Sequence, residues 1–114
     1  MPYYPALTTL ERIQSISTCT MTAIKSLLQD DSTALVDVRT PMEYAQEHLP
    51  GAINIPLDEV AYRIPDFEAL QAKTILLYCR SGARSGMATS MLHQAGLKNA
   101  INGGGISNLQ LALH

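Results

Sequence analysis

The sequence predicts an α/β domain organised on a central parallel sheet. Three observations point there. Apolar runs of strand length at 34–38, 52–55 and 74–78 alternate with stretches of helical spacing. The run Thr74-Ile-Leu-Leu-Tyr78 is continuous rather than alternating, the pattern of a strand buried on both faces. No internal repeat, low-complexity stretch or Gly/Ser linker divides the 114 residues, so residues 1–114 read as one domain.

The elements follow in order. Residues 13–17, Ile-Gln-Ser-Ile-Ser, have the character of a short strand. Thr20 reads as an N-cap, followed by Ile24, Leu27 and Leu28 at helical spacing. Ala34-Leu-Val-Asp-Val38 is the next strand. Thr40-Pro41-Met42-Glu43 is a helix start with a capping residue, a proline at the first helical position and a glutamate completing a capping box. Pro50-Gly51 closes that helix. Ala52-Ile-Asn-Ile55 is a further strand, and Leu57 to Ile64 holds a helical turn or two with Leu57, Val60, Ala61 and Ile64 on one face. Thr74–Tyr78 is the central strand. Arg84 to Gln94 is a helix with Met87, Met91 and Leu92 on its core side, and Gly96 is its stop. Asn99–Asn102 makes a last strand, Gly103-Gly-Gly105 a turn, and Ile106–Leu113 a terminal helix.

Composition excludes several classes. The longest apolar runs are far short of the ~20 residues that span a bilayer. The start, Met-Pro-Tyr-Tyr-Pro-Ala-Leu, has neither the basic region nor the apolar run of a signal peptide. A cytoplasmic protein without membrane contact is the expectation. Cys19 and Cys79 are expected as free thiols, and the absence of a CxxC or a His/Cys cluster argues against a metal site. Nothing suggests a nucleic-acid partner, because no basic run occurs. The charge is unevenly spread. All ten acids lie between Glu11 and Glu68, so the first 70 residues carry −6 and the rest +4.

The chemistry concentrates in Tyr78-Cys79-Arg80-Ser81-Gly82-Ala83-Arg84-Ser85, inside the acid-free half. Cys79 ends the buried strand, where ligands bind in open α/β sheets. A loop of small residues leading into a helix can turn successive N–H groups inward as an anion nest, reinforced by the helix N-terminus. Gly82 and Ala83 leave room for the curl, and Arg80 and Arg84 add charge. Such settings bring a cysteine from a pKa of ~8.5 into roughly the 3.5–7.5 range. A lone cysteine is more often buried packing. Its place at a strand end, before a small-residue loop and near two arginines, favours a nucleophile instead. Cys19 lacks this setting and reads as structural.

These residues carry a resemblance. Asp37-Val-Arg39 with Glu43-Tyr44, then Glu47-His48-Leu-Pro-Gly51-Ala-Ile-Asn-Ile-Pro56, resembles the N-terminal signature of the single-domain rhodaneses, the sulfurtransferases that carry sulfur on a cysteine. Cys79-Arg-Ser-Gly82-Ala-Arg84-Ser85 resembles their active-site loop, and Gly104-Gly105 their C-terminal glycine turn. The likeness covers about residues 15–112. One departure is Leu109, where many relatives have tryptophan, and it reads as a packing change.

The resemblance implies a rhodanese-like fold with a central five-stranded parallel sheet and helices on both faces. It implies Cys79 as catalytic sulfur acceptor, with Arg80, Ser81, Gly82, Ala83 and Arg84 around the substrate, and no cofactor. Asp37, Arg39 and Ser85 stand behind them. The implied reaction moves sulfane sulfur from thiosulfate or a persulfide donor to cyanide or a thiol, a protein thiol included, through a Cys79 persulfide. The four residues between Cys79 and Arg84 match the shorter loop that the family associates with sulfur substrates. Related phosphatases and arsenate reductases have one residue more, and these remain the alternative, with a non-catalytic interaction module as a third reading.

Among the other residues, Arg84 either faces substrate or braces the loop through a carboxylate such as Glu47, the second being favoured. Arg80 is expected near solvent, where it steers anions. Arg39 is expected to pair with Glu43, His48 to serve the scaffold, His93 to face solvent, and Met87 and Met91 to be core.

Overall fold

The computed structural model describes residues 21–113. In chain order they form α1 (Met21–Leu28), β1 (Thr33–Asp37), α2 (Pro41–Gln46), β2 (Ile53–Asn54) and α3 (Leu57–Val60). There follow α4 (Ile64–Ala69), β3 (Thr74–Cys79), α5 (Ala83–Gln94), β4 (Ala100–Gly105) and α6 (Ile106–Ala112). Among these residues no helix is long and apolar enough to cross a membrane. The strands make one parallel sheet in the order β2-β1-β3-β4. Four strands replace the expected five among the described residues. The expected strand at 13–17, the Thr20 cap and Cys19 lie outside them.

β3 is central and buried along all six residues, as its unalternating sequence predicts. Side chains alternate between faces, so one strand serves two cores. Ile75, Leu77 and Cys79 join Val60 of α3, Phe67 of α4 and Leu92 of α5. Leu76 and Tyr78 join Ile24 of α1 and Ile106 and Leu109 of α6. Helices therefore cover both faces. Leu109 is 1% exposed, so the residue that departs from the family pattern fills the second core.

Several local expectations are corrected. The helical stretch expected at 57–64 is shorter, and a helix absent from the expectation follows it. α3 ends at Val60, and α4 starts at Ile64 with a proline in its first turn. Gly103-Gly-Gly105 is not a turn but the end of β4, where pairing jumps from Leu77–Asn102 to Tyr78–Gly104. Gly104, at φ +90°, supplies the backbone conformation of this bulge. Met87 is not core but exposed, while Met91 packs against Leu92's cluster. His93 does not simply face solvent, because its Nε2 lies 2.7 Å from the Ala100 carbonyl oxygen.

Because all strands run the same way, Asp37, Cys79 and Gly105 come out on one edge of the sheet. The chain leaves β1 towards β2 on one side and later continues from β3 to β4 on the other. The carboxyl ends of β1 and β3 thus flank the topological switch point, where α/β sheets open a crevice.

Candidate active site

The loop after β3 folds back over its own first residue. Gly82, at φ +99°, turns the chain into α5 as its N-cap. A Cβ at Gly82 would come within 3.2 Å of the Gly104 Cα. At Gly105 the approach is tighter: a Cβ would stand 2.6 Å from the Arg80 carbonyl oxygen. The glycines of β4 therefore give the loop room to pack against that strand.

The turn brings donors onto the sulfur. Cys79 is buried and its thiol is free. Its Sγ receives the Gly82 amide at 3.0 Å and the Ser85 amide at 3.4 Å, with the Ser85 Oγ at 3.5 Å. Burial pushes the thiol's pKa up, while the amides of Ser85, Gly82 and Ser81 pull it down, as does the Ser85 hydroxyl when its proton is turned to sulfur. The donors outweigh burial, and the net direction is downward. The N-terminus of α5 adds its dipole in the same sense.

Arg84 reaches out of the loop to α2. Its Nη1 and Nη2 donate to Glu43 Oε1 and Oε2 at 2.7 and 3.1 Å, a bidentate pair. The bracing carboxylate is Glu43 and not Glu47. The Arg84 guanidinium, helped by the Thr40 amide, holds the Glu43 carboxyl down at about 2. Glu43 also closes the expected capping box, since Thr40 Oγ1 accepts from its amide and its carboxylate accepts from the Thr40 amide. One carboxylate thus ties the start of α2 to the start of α5.

Arg39 does not pair with Glu43 as expected. It forms a buried pair with Asp37, its Nη2 2.8 Å from Oδ2 and its Nε 3.0 Å from Oδ1. Nη2 also donates to the Glu47 carbonyl at 2.6 Å, and the guanidinium lies 5.8 Å from the centre of the Tyr78 ring. With Nε and Nη2 engaged by fixed acceptors, the buried pair ties the end of β1 to the segment after α2. His48 is scaffold, with Nδ1 2.8 Å from the Tyr44 carbonyl oxygen and its ring stacked on Tyr44.

Arg80, Ser81 and Ala83 are exposed on the loop. A cleft of about 260 Å³ flanks it, lined by Arg39, Glu43, Glu47, Arg80, Ile106 and Gln110 among others. A second, about 340 Å³ and largely apolar, is lined by Val38, Thr40, Pro56, Leu57, Asp58 and Arg84. A larger hollow of about 400 Å³, beside Thr33 and Ile53, contains none of the loop residues. Among the described residues no group of three His, Cys, Asp or Glu side chains is placed to hold a metal ion.

One contributor escaped the sequence reading. Asn102, on β4, donates from Nδ2 to the Gly82 carbonyl at 3.1 Å and accepts the Ser85 hydroxyl on Oδ1 at 2.6 Å. Only its place directly before the glycine run hints at such a role.

The model of the "Rhodanese-like domain" family matches residues 20–112. The thiosulfate sulfurtransferase PspE of Escherichia coli is 41% identical over 76 residues, covering 67% of this chain and 73% of that one. A sulfurtransferase of Allochromatium vinosum is 37% identical over 67% of this chain and 69% of its own length. The human single-domain sulfurtransferase TSTD1 superposes with a TM-score of 0.69 at 28% identity, covering 82% of this chain and 93% of that one. In two longer curated relatives this chain spans only 43% and 49% of the length.

Proposed function

The chain belongs to the rhodanese-like family, and on that premise we propose that it is a sulfurtransferase that carries sulfane sulfur on Cys79. The observation that carries the proposal is the convergence of the Gly82 and Ser85 amides on the Cys79 sulfur. Amides that stabilise a thiolate also suit the terminal sulfur of a persulfide, which bears the same charge one atom further out.

The reaction is a double displacement. The Cys79 thiolate attacks the outer sulfur of thiosulfate, or of a persulfide donor. An S–S bond forms to Cys79 while the donor's own S–S bond breaks, and its electron pair leaves with sulfite or with the donor thiolate. Cyanide or a thiolate then attacks the outer sulfur of the Cys79 persulfide. The new bond forms as the Cys79 S–S bond breaks, and Cys79 is returned as thiolate. Neither step consumes a redox equivalent. Arg80, exposed at the loop, attracts the anionic donor, while Arg84 holds the loop in shape through Glu43.

The proposal extends to the short loop. Four residues between Cys79 and Arg84 make a cradle for one sulfur rather than for a tetrahedral oxyanion. Thiosulfate with cyanide is therefore expected to give thiocyanate, with Cys79→Ser at background. A phosphotyrosine mimic is expected to remain intact. Undiminished thiocyanate formation in Cys79→Ser removes Cys79 from the mechanism, and Cys79-dependent phosphate release replaces the sulfur reading with the phosphatase one.

A further inference from the structure

The Asn102 side chain has a fixed orientation, because its partners have known polarity. The Gly82 carbonyl can only accept, so the atom 3.1 Å from it is the amide nitrogen. The Gly104 N–H can only donate, so the atom 3.0 Å from it is Oδ1. The Ser85 hydroxyl lies 2.6 Å from that same Oδ1, an atom with no hydrogen of its own. The single hydroxyl proton of Ser85 therefore points at Asn102. Ser85 Oγ also lies 3.5 Å from Cys79 Sγ. One proton cannot serve both contacts, and the shorter takes it. A hydroxyl that helps lower the thiol would have to turn its proton to sulfur, away from the better acceptor. Towards sulfur Ser85 then presents a lone pair, which accepts from S–H and gives nothing to S⁻.

We propose that Asn102 is a positioning residue for Cys79: by holding the Ser85 proton on its amide oxygen, it leaves backbone amides as the donors to the ionised sulfur. The benefit is reactivity. A thiolate loses nucleophilicity as its basicity is drawn off by further donors. The same two contacts of Asn102, to Gly82 and Gly104, set the loop against β4, so the residue that shapes the cradle also sets the polarity of its one hydroxyl. The proposal rests on the reading of Cys79 as the reacting sulfur.

The test is the pH dependence of Cys79 alkylation by iodoacetamide, followed on the Cys79 peptide by mass so that Cys19 does not contribute. Wild type, Ser85→Ala, Asn102→Ala and the double variant are compared. Ser85→Ala is expected to leave the midpoint within about 0.3 pH unit, since it removes no donor to S⁻. Asn102→Ala frees the hydroxyl to turn to sulfur, and its midpoint is expected to fall by about 0.5–1 unit. The limiting rate of its thiolate is expected to drop about two- to threefold. The double variant is expected to lose that fall. A rise of about one unit in Ser85→Ala overturns the proposal, because the hydroxyl then donates to sulfur in the wild type. An upward shift in Asn102→Ala also overturns it and leaves Asn102 as a prop for the loop. Should Asn102→Ala not fold, the sign in Ser85→Ala decides alone. Iodoacetamide reports the thiolate and not sulfur transfer, so a protein that alkylates as expected yet forms no thiocyanate refutes the function and not this inference.

Discussion

Cys79 sits where two opposing effects meet. Burial favours the neutral thiol, and the amides at the start of α5 favour the thiolate. Sequence showed the second effect through Gly82 and the strand-to-helix junction, because both depend on neighbours a few positions away. It did not show the partner of Arg84, which comes from 41 positions earlier in the chain. Glu43 reports on that partnership through pH. Its carboxyl is held at about 2 against an ordinary 4.5, first by Arg84. The folded value is depressed, so the stabilisation is complete above the unfolded value and is lost as pH falls through the folded one. Glu43 and Arg84 side chains are 23% and 34% exposed, and solvent screening keeps the pair to about 1 kcal/mol. Thermal unfolding of wild type and Glu43→Gln is expected to show a constant gap above about pH 5 that closes as pH falls towards 2. A gap that persists unchanged to pH 2 means the pair contributes nothing that ionisation controls.

The helix α2 has only six residues, and its start is fixed by the capping box and Pro41. Local signals of that kind were legible in the sequence, as was β3, whose apolar run has no polar alternation. The start of α4 has no counterpart in the sequence expectations, although Pro65 and Asp66 mark a helix start. Arg63 between α3 and α4 bonds Glu59 on one side and Asp66 on the other, and Asp66 lies in a helix beyond the expected stretch 57–64. The end of β4 departs from the sequence expectation for a different reason. Three glycines predict a turn by propensity, but in the fold they extend a strand whose neighbour needs a backbone without side chains. Thr40→Ala is expected to cost about 1 kcal/mol in urea denaturation, through loss of the cap. Because Glu43 answers both Thr40 and Arg84, the combined cost with Glu43→Gln is expected to fall short of the two separate costs. Strict additivity would show that the cap and the brace act independently.

The charge division along the chain, −6 in the first 70 residues and +4 in the remainder, does not persist in space. Glu43 and Glu47 from the acidic half line the same cleft as Arg80 from the basic half. What survives is local: the donors that reach the Cys79 sulfur come from the acid-free loop 80–85. The parallel sheet explains why. It gathers the ends of β1, β3 and β4 on one edge, so distant segments meet there whatever their composition. The sequence revealed the loop and the sheet class, while the contacts of Asn102 and Glu43 depended on how those edges come together. The central claim is that Cys79 holds sulfur. Its most direct test is the mass of the Cys79 peptide after brief exposure to thiosulfate. A gain of about 32 Da that cyanide removes is expected, which separates a persulfide from an irreversible sulfinic acid of the same nominal mass. An unchanged Cys79 mass in protein that still forms thiocyanate, or a gain on Cys19 instead, contradicts it.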